Sequence, residues 1–289
     1  MRILHLDSGR EMRGGQWQAL RLMRELRTLG CANALYAPSD APLARAAAAE
    51  GFEMASWRRV ARGYDLLHCH TAGSHSLAAL AARRPFVVAR RVGFPVGTGA
   101  LSRWKYGRAA GFLAVSEYAA ARLRDAGVPD GKIRVVADAV PLPERISDYS
   151  AGAIAAATDD PRKARAILRA SGLDVVMSVN LERDLAFARV FVYLSEMEGL
   201  GSAALLAMAF GVPVVASRVG GLPEIVEHER TGLLVENDPA EVRRAVERLL
   251  GDSELARRLG SEGRARAARF HSPALMAART LEFYREILE

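Results

Sequence analysis

The residues with chemistry to offer stand where short apolar runs give way to glycine. Glu198 lies in Glu196-Met-Glu-Gly-Leu-Gly-Ser202, between the apolar run Val190 to Leu194 and an alanine-rich stretch. In a strand, turn and helix of this kind the first N–H groups of the helix have no intrahelical partner and collect an anion such as a diphosphate. Glu198 and the peptide groups of Gly199, Leu200, Gly201 and Ser202 therefore sit where a nucleotide would be held. Arg13-Gly14-Gly15 repeats the pattern near the start, with glycine letting the backbone approach a phosphate. Arg90 and Arg91 close another strand, and paired guanidinium groups suit bidentate capture of a phosphate or carboxylate on an acceptor. His68 and His70 alternate onto one face of a strand. With His75 they would offer three imidazoles to zinc, but no acidic or thiolate fourth ligand has fitting spacing, so no metal is expected.

To position these groups the chain needs repeated β-α-β units, and its periodicity supplies them. Arg2 to Asp7 reads as a strand and Ser8 to Gly15 as a loop. A helix follows with Ala19, Leu22, Met23, Leu26 and Leu29 on one face and Gly30 to end it. Strands are expected at Ala32 to Tyr36, at the run ending in His70, at Pro85 to Ala89 and at Leu113 to Ser116. Pro42 to Glu50 reads as a helix, and Ser116-Glu117 opens another as an N-cap pair. Asp130 to Pro143 holds the last strand of this half, and Pro141, Pro143 and the polar Ser147 to Ser150 mark a linker. In the second half Gly152 to Thr158 reads as a strand, and Pro161 suits the first position of a helix reaching Ala170. Asp174 to Val179 and Leu181 to Ala188 lead to the strand before Glu198, and Pro213 to Ala216 is a further buried strand. Helices at Pro239 to Leu250, at Glu254 to Ala268 and from Ser272-Pro273 onward finish the chain. The expectation is an α/β protein with a Rossmann-like domain over 1–145, a second over 146–270, and a final helix, 271–289, packing back on the first.

Three motifs carry a resemblance: Glu-Gly-Leu-Gly from Glu198, Gly-Gly-x-Pro-Glu-Ile-Val ending at Val226, and Thr231-Gly-Leu-Leu-Val235. With the intervening Ala-Met-Ala-x-Gly-x-Pro-Val-Val-Ala-Ser they resemble the donor domain of retaining glycosyltransferases of the GT-B superfamily, in the group often called family 4. The likeness is dense from about Asp184 to Glu289. It implies a sugar nucleotide, linked to UDP or GDP, as substrate and no further cofactor. In that family a Glu-x7-Glu pair reaches the transferred sugar and the ribose; Glu198 matches the first, but the second position holds Leu206. An Arg and a Lys five apart hold the diphosphate; Lys163 matches the Lys, but the Arg position is Thr158. The segment Asp65 to His70 resembles the family's Asp-x-x-His-x-His strand end, which puts His70 beside the reacting sugar. The glycine loop at Gly14 and Gly15 matches one that faces the donor phosphates. The second domain is expected to be compact, one β-α block shorter than usual.

Composition bounds the rest. With 289 residues, half of them hydrophobic, the chain can build two cores. No apolar run approaches a membrane span, and Met-Arg-Ile-Leu-His-Leu-Asp reads as a strand rather than a signal peptide. A cytoplasmic protein is expected, peripheral at the inner face of the membrane. Cys31 and Cys69 suggest neither a disulfide framework nor a redox pair. Residues 1–145 hold 22 Lys and Arg against 12 Asp and Glu, so the first half carries the net charge of +7. That suits an anionic or lipid-linked acceptor or a membrane surface, and no aromatic-interleaved basic motif points to nucleic acid. Without an Asp-x-Asp triplet, the charge growing on a diphosphate leaving group would be met by protein groups alone. The resemblance thus implies a metal-independent retaining glycosyltransferase serving envelope-lipid or polysaccharide biosynthesis. The two replaced partners leave a second reading, a catalytically weakened GT-B scaffold that binds a nucleotide sugar, an anion or a partner, unless Glu196, Glu224 or Glu227 substitutes.

Overall fold

Short aliphatic runs alternate with amphipathic helices along the whole chain, and parallel sheets flanked by helices result. The structure is a computed structural model that describes residues 1–56, 63–157, 160 and 163–289. It divides into Met1–Asp138 with Pro273–Glu289, and Ala139–Ser272.

The first unit runs β1 (Arg2–Leu6), α1 (Gly14–Thr28), β2 (Ala32–Tyr36), α2 (Pro42–Ala49), β3 (Glu53–Met54), β4 (Leu66–Cys69), α3 (Ala72–Ala81), β5 (Phe86–Arg90), α4 (Ala100–Gly107), β6 (Gly111–Ala114), α5 (Glu117–Arg124) and β7 (Ile133–Val135). Its seven strands are parallel in the order β3-β2-β1-β4-β5-β6-β7. The order reverses between β1 and β4, which places a crevice at the carboxyl ends of those two strands. The face expected for α1 is buried at Ala19, Leu22, Met23 and Leu26, but Leu29 is 46% exposed. It is the C-cap residue, already turning away, and Gly30 follows in the left-handed region at φ 81°. Gly14 and Gly15 form the first turn of α1 instead of closing the loop before it. Ser116 caps α5, its Oγ accepting from the Ala119 N–H at 3.0 Å. The last helix, α12 (Pro273–Leu288), packs on this unit. It lies so close to β6 that a Cβ on Gly111 would stand 2.5 Å from the Phe283 ring.

The second unit holds β8 (Ala153–Ala156), α6 (Arg165–Ala170), β9 (Val175–Ser178), α7 (Leu181–Leu185), β10 (Val190–Tyr193), α8 (Ser202–Ala209), β11 (Val214–Ser217), α9 (Leu222–Ile225), β12 (Gly232–Val235), α10 (Pro239–Gly251) and α11 (Ser253–Phe270). These five strands are parallel in the order β12-β11-β10-β8-β9. Val190, Val192, Val215 and Leu233 pack there against Val242, Val246 and Leu249 of α10. Here the reversal falls between β8 and β10. Helix α6 starts at Arg165, later than expected, because Ala164 before it is left-handed at φ 45°. Thr158 and Pro161 lie outside the described residues.

Candidate functional site

The reversal between β8 and β10 brings together two loops far apart in sequence. The loop after β8 carries Lys163 and the loop after β10 carries Glu198, and their side chains form an ion pair. Tyr193, the last residue of β10, joins them. Lys163 Nζ donates to its hydroxyl at 2.6 Å, and the hydroxyl donates to Glu198 Oε2 at 2.8 Å. The ammonium also lies 4.4 Å from the centre of the Tyr193 ring. Burial, reinforced by the Glu198 carboxylate, pushes the Tyr193 phenol well above its ordinary range, so it stays a donor. The other Glu198 oxygen accepts the Gly199 N–H at 3.1 Å. The side chains of Lys163 and Glu198 are 22% and 16% exposed, open enough to meet a ligand yet partly shielded from water. Beside them, Ala155, Ala156, Met177, Val192 and Tyr193 line an apolar concavity.

Backbone packing fixes the Glu198 loop. A Cβ on Gly220 would lie 2.1 Å from the Glu198 carbonyl oxygen, and one on Gly221 would lie 2.1 Å from that of Gly199. Only glycines allow this approach, which the Gly221 N–H seals by donating to the Glu198 carbonyl at 3.1 Å. Gly201 is left-handed at φ 107° and is followed by the first turn of α8 at Ser202. Ser195, Ser217 and Asn237 tie the ends of β10, β11 and β12: the Ser195 N–H donates to Ser217 Oγ at 2.9 Å, and Asn237 Nδ2 donates to the Ser195 carbonyl at 2.9 Å. Leu206 is a buried residue of α8. Of the acids that might stand in for it, Glu227 is held by Arg266 and Arg230.

The first unit places its expected residues differently. Asp7, buried at the end of β1, accepts the Gly9 N–H at 2.6 Å and the Gln16 amide at 3.1 Å, tying the loop to the start of α1. Burial raises the Asp7 carboxyl above its ordinary value. Arg91 is not a free acceptor-binding group: its Nε donates to Asp138 at 3.0 Å and its Nη1 to His70 Nδ1 at 3.2 Å. Arg90 donates to the Phe94 carbonyl.

The donor on Nδ1 fixes the tautomer of His70, whose proton then sits on Nε2 and points at His5 Nδ1, 2.9 Å away. His5 in turn donates from Nε2 to Asn33 Oδ1 at 3.0 Å. A directed chain thus runs from Asp138 through Arg91, His70 and His5 to Asn33, and it uses both ring nitrogens of His70. His68 lies beside it, its ring centroid 4.1 Å from that of His70, with Nδ1 bonded to the Tyr284 hydroxyl at 2.6 Å. Burial holds the His5 imidazole down to about 4, and His68 and His70 well below their usual value, so all three are neutral at pH 7.

The imidazole cluster is therefore His5, His68 and His70. His75 sits apart on α3, bonded to the Lys105 carbonyl at 3.1 Å. Ligand atoms of the three clustered rings lie within 4.8 Å of one another. A metal there would have to displace the proton between His5 and His70. The outer nitrogen of His70 would face a guanidinium, where a ligating imidazole ordinarily faces a carboxylate or carbonyl. The donor set fits a hydrogen-bond chain better than a metal centre.

Sequence reasoning missed His5, Tyr193, Asp7, Asn33, Asp138 and Tyr284. Tyr193 had a signal, as a polar-tipped residue ending a buried strand directly before the Glu198 loop.

Comparisons bear on both units. Residues 12–143 match the family described as Glycosyltransferase Family 4, and residues 175–266 match Glycosyl transferases group 1. A stretch of 110 residues is 44% identical to the alpha-maltose-1-phosphate synthase of Mycolicibacterium smegmatis, covering 36% of this chain and 28% of that protein. Another of 86 residues is 42% identical to the N-acetyl-alpha-D-glucosaminyl L-malate synthase of Bacillus anthracis, covering 29% of this chain and 23% of that one. The chain thus aligns with less than a third of the length of these curated relatives. Among solved structures, Anabaena HepE in complex with UDP-glucose superposes with a TM-score of 0.84 at 16% identity, over 99% of this chain and 100% of that one. A glycosyltransferase from Rickettsia africae superposes with a TM-score of 0.81 at 14% identity, over 100% of this chain and 98% of that one.

Proposed function

The chain belongs to the glycosyltransferases of the GT-B fold, and from that premise we propose that it transfers a sugar from a nucleotide donor, with retention and without a metal, to an anionic or lipid-linked acceptor. The meeting of Lys163, Tyr193 and Glu198 where the second sheet reverses carries this reading. Lys163 would take the diphosphate, whose charge grows as the bond to the sugar breaks. The peptide groups from Gly199 to Ser202 would add fixed donors at the start of α8. Glu198 would accept from sugar hydroxyls, and Tyr193 would hold both charges in place. A UDP- or GDP-linked sugar is the donor class in keeping with HepE, bound to UDP-glucose, and with the GDP-mannose-dependent phosphatidylinositol monomannoside mannosyltransferase of Mycobacterium tuberculosis. The latter's lipid acceptor also supports a lipid-linked acceptor here.

His70 would act from the end of β4 by shaping the crevice through its bonded ring, with Gly14 and Gly15 opening the first turn of α1 nearby in the same unit. Leu206 favours a second reading, a scaffold that binds a nucleotide sugar and turns it over weakly, because a buried leucine cannot accept from a ribose hydroxyl.

Calorimetric titration with UDP, GDP and their sugars tests both. Binding of one nucleotide sugar, weakened at least about tenfold by Lys163→Ala and by Glu198→Ala, is the expected result. No binding at millimolar ligand, or unchanged affinity in both variants, would overturn the site. Binding without sugar release across a panel of lipid and glycan acceptors would favour the scaffold.

A further inference from the structure

We propose that helix α4 and the adjoining end of α3 form a docking surface for an anionic phospholipid membrane. Between Asp65 and Glu117 the chain has no acidic residue and seven basic ones, Arg83, Arg84, Arg90, Arg91, Arg103, Lys105 and Arg108. Arg90 and Arg91 are turned to the interior bonds described above, which leaves the other five for the surface. Helix α4, Ala-Leu-Ser-Arg-Trp-Lys-Tyr-Gly, buries none of its residues. Leu101 is 76% exposed and Trp104 44% exposed, and Leu80 near the end of α3 is 75% exposed.

At 100° per residue Leu101, Trp104 and Arg108 share one face of α4, while Tyr106 lies across the helix from Trp104. Tyr106 faces inward, stacked on Phe112 and edge-on to His75. The Leu101 and Trp104 face is therefore the outer one. Lys105 Nζ donates to the Ala72 carbonyl at 3.0 Å, and Arg108 reaches the Ala82 carbonyl at 3.4 Å. The exposed Arg83 and Arg84 thus border the end of α4.

Exposed leucine and tryptophan amid cations of a single sign is the composition of a helix lying in a lipid interface. The indole sits at headgroup depth and the cations meet anionic headgroups. A protein partner of mixed charge would call for acidic residues on the rim, and this stretch supplies none. No helix among the described residues is long and apolar enough to cross a membrane, so the contact proposed is peripheral. The idea rests on the proposed lipid-linked acceptor only for its purpose, since attachment is measured without turnover.

The test is co-sedimentation of the full chain with vesicles of phosphatidylcholine alone and with vesicles enriched in phosphatidylglycerol. Binding is expected only to the second, falling with added salt. Arg83→Gln and Arg84→Gln should each lower partition about fivefold, and the pair Leu101→Ser and Trp104→Ser should abolish it. A blue shift of tryptophan emission on adding anionic vesicles should vanish in Trp104→Phe, although Trp17 and Trp57 remain. All these side chains are exposed, so melting temperature and nucleotide titration should match the parent chain. Equal binding to neutral vesicles, no binding to either, full binding by the Leu101 and Trp104 variant, or tighter retention on an RNA through the same arginines would each overturn the proposal. In the parent chain, no binding to anionic vesicles while the nucleotide still titrates would sink only the docking surface, and vesicle binding without nucleotide titration would sink only the donor site.

Discussion

Lys163 and Glu198 neutralise each other in the structure, so an incoming diphosphate competes with a carboxylate for the same ammonium. Tyr193 is the residue able to ease that exchange, because its hydroxyl touches both charges. Tyr193→Phe keeps the ring and its packing but removes the shared hydroxyl. Hydrogen bonds to charged groups contribute about 1.5 to 3 kcal/mol, so calorimetry should show nucleotide-sugar affinity falling about tenfold or more, and the melting temperature should fall as well because both bonds exist before a ligand binds. Affinity equal to that of the parent would show the hydroxyl to be a bystander. In the first unit the Arg91–Asp138 pair is nearly closed to water, at 13% and 7% side-chain exposure. Asp138→Asn would leave the guanidinium without its counter-charge, and breaking a buried pair from one side costs about 3 to 5 kcal/mol. Urea unfolding should register that loss.

At the level of elements, the Glu198 loop is shaped by the turn after β11 as much as by its own residues. Gly221→Ala would push a methyl group into the Gly199 carbonyl. The loop would shift, and a nucleotide titration should show a loss like that of Glu198→Ala although no ligand-facing group has changed. Gly260 of α11 gives the contrast. A Cβ there would stand 1.9 Å from the Gly211 carbonyl oxygen and 2.4 Å from the Tyr149 hydroxyl, away from the Lys163 and Glu198 loops. Alanine in a helix gains about 1 kcal/mol over glycine, but a clash with backbone costs about 1 to 3 kcal/mol. Gly260→Ala should therefore lower the melting temperature with nucleotide affinity kept. A raised melting temperature would mean that the helix yields.

For the molecule as a whole, the buried imidazoles make stability depend on pH. His5 and His75 are held down to about 4, first of all by burial, and His68 and His70 are lowered in the same sense. An unfolded chain takes up protons on these rings near pH 6.5, where the folded chain does not. Stability is thus fully present above about 6.5 and is lost as pH falls toward 4. Two and a half pH units at about 1.4 kcal/mol each amount to about 3 to 4 kcal/mol for each of His5 and His75. Asp7 works the other way, since its raised carboxyl favours the protonated folded form in acid. Four imidazoles outweigh one carboxyl, so urea unfolding midpoints should fall clearly between pH 7 and pH 5. A flat profile would contradict the neutral, buried cluster.

The sequence by itself determined what depends on neighbours within a turn or two. The buried face of α1, the strand Ala32–Tyr36, the proline starts of α2 and α10 and the Ser116 cap all follow from local spacing. The family was legible too, because its motifs are runs of adjacent residues. Only tertiary structure decided which groups meet. Lys163 and Glu198 are 35 residues apart, His5 and His70 are 65 apart, and Tyr284 reaches His68 across 216. Strand order makes the first two contacts and the packing of α12 on the first sheet makes the third, and no local period encodes either. The same physics turned Arg91 inward, joined His5 rather than His75 to the imidazoles, and gave Gly220 and Gly221 their task of letting one backbone rest on another.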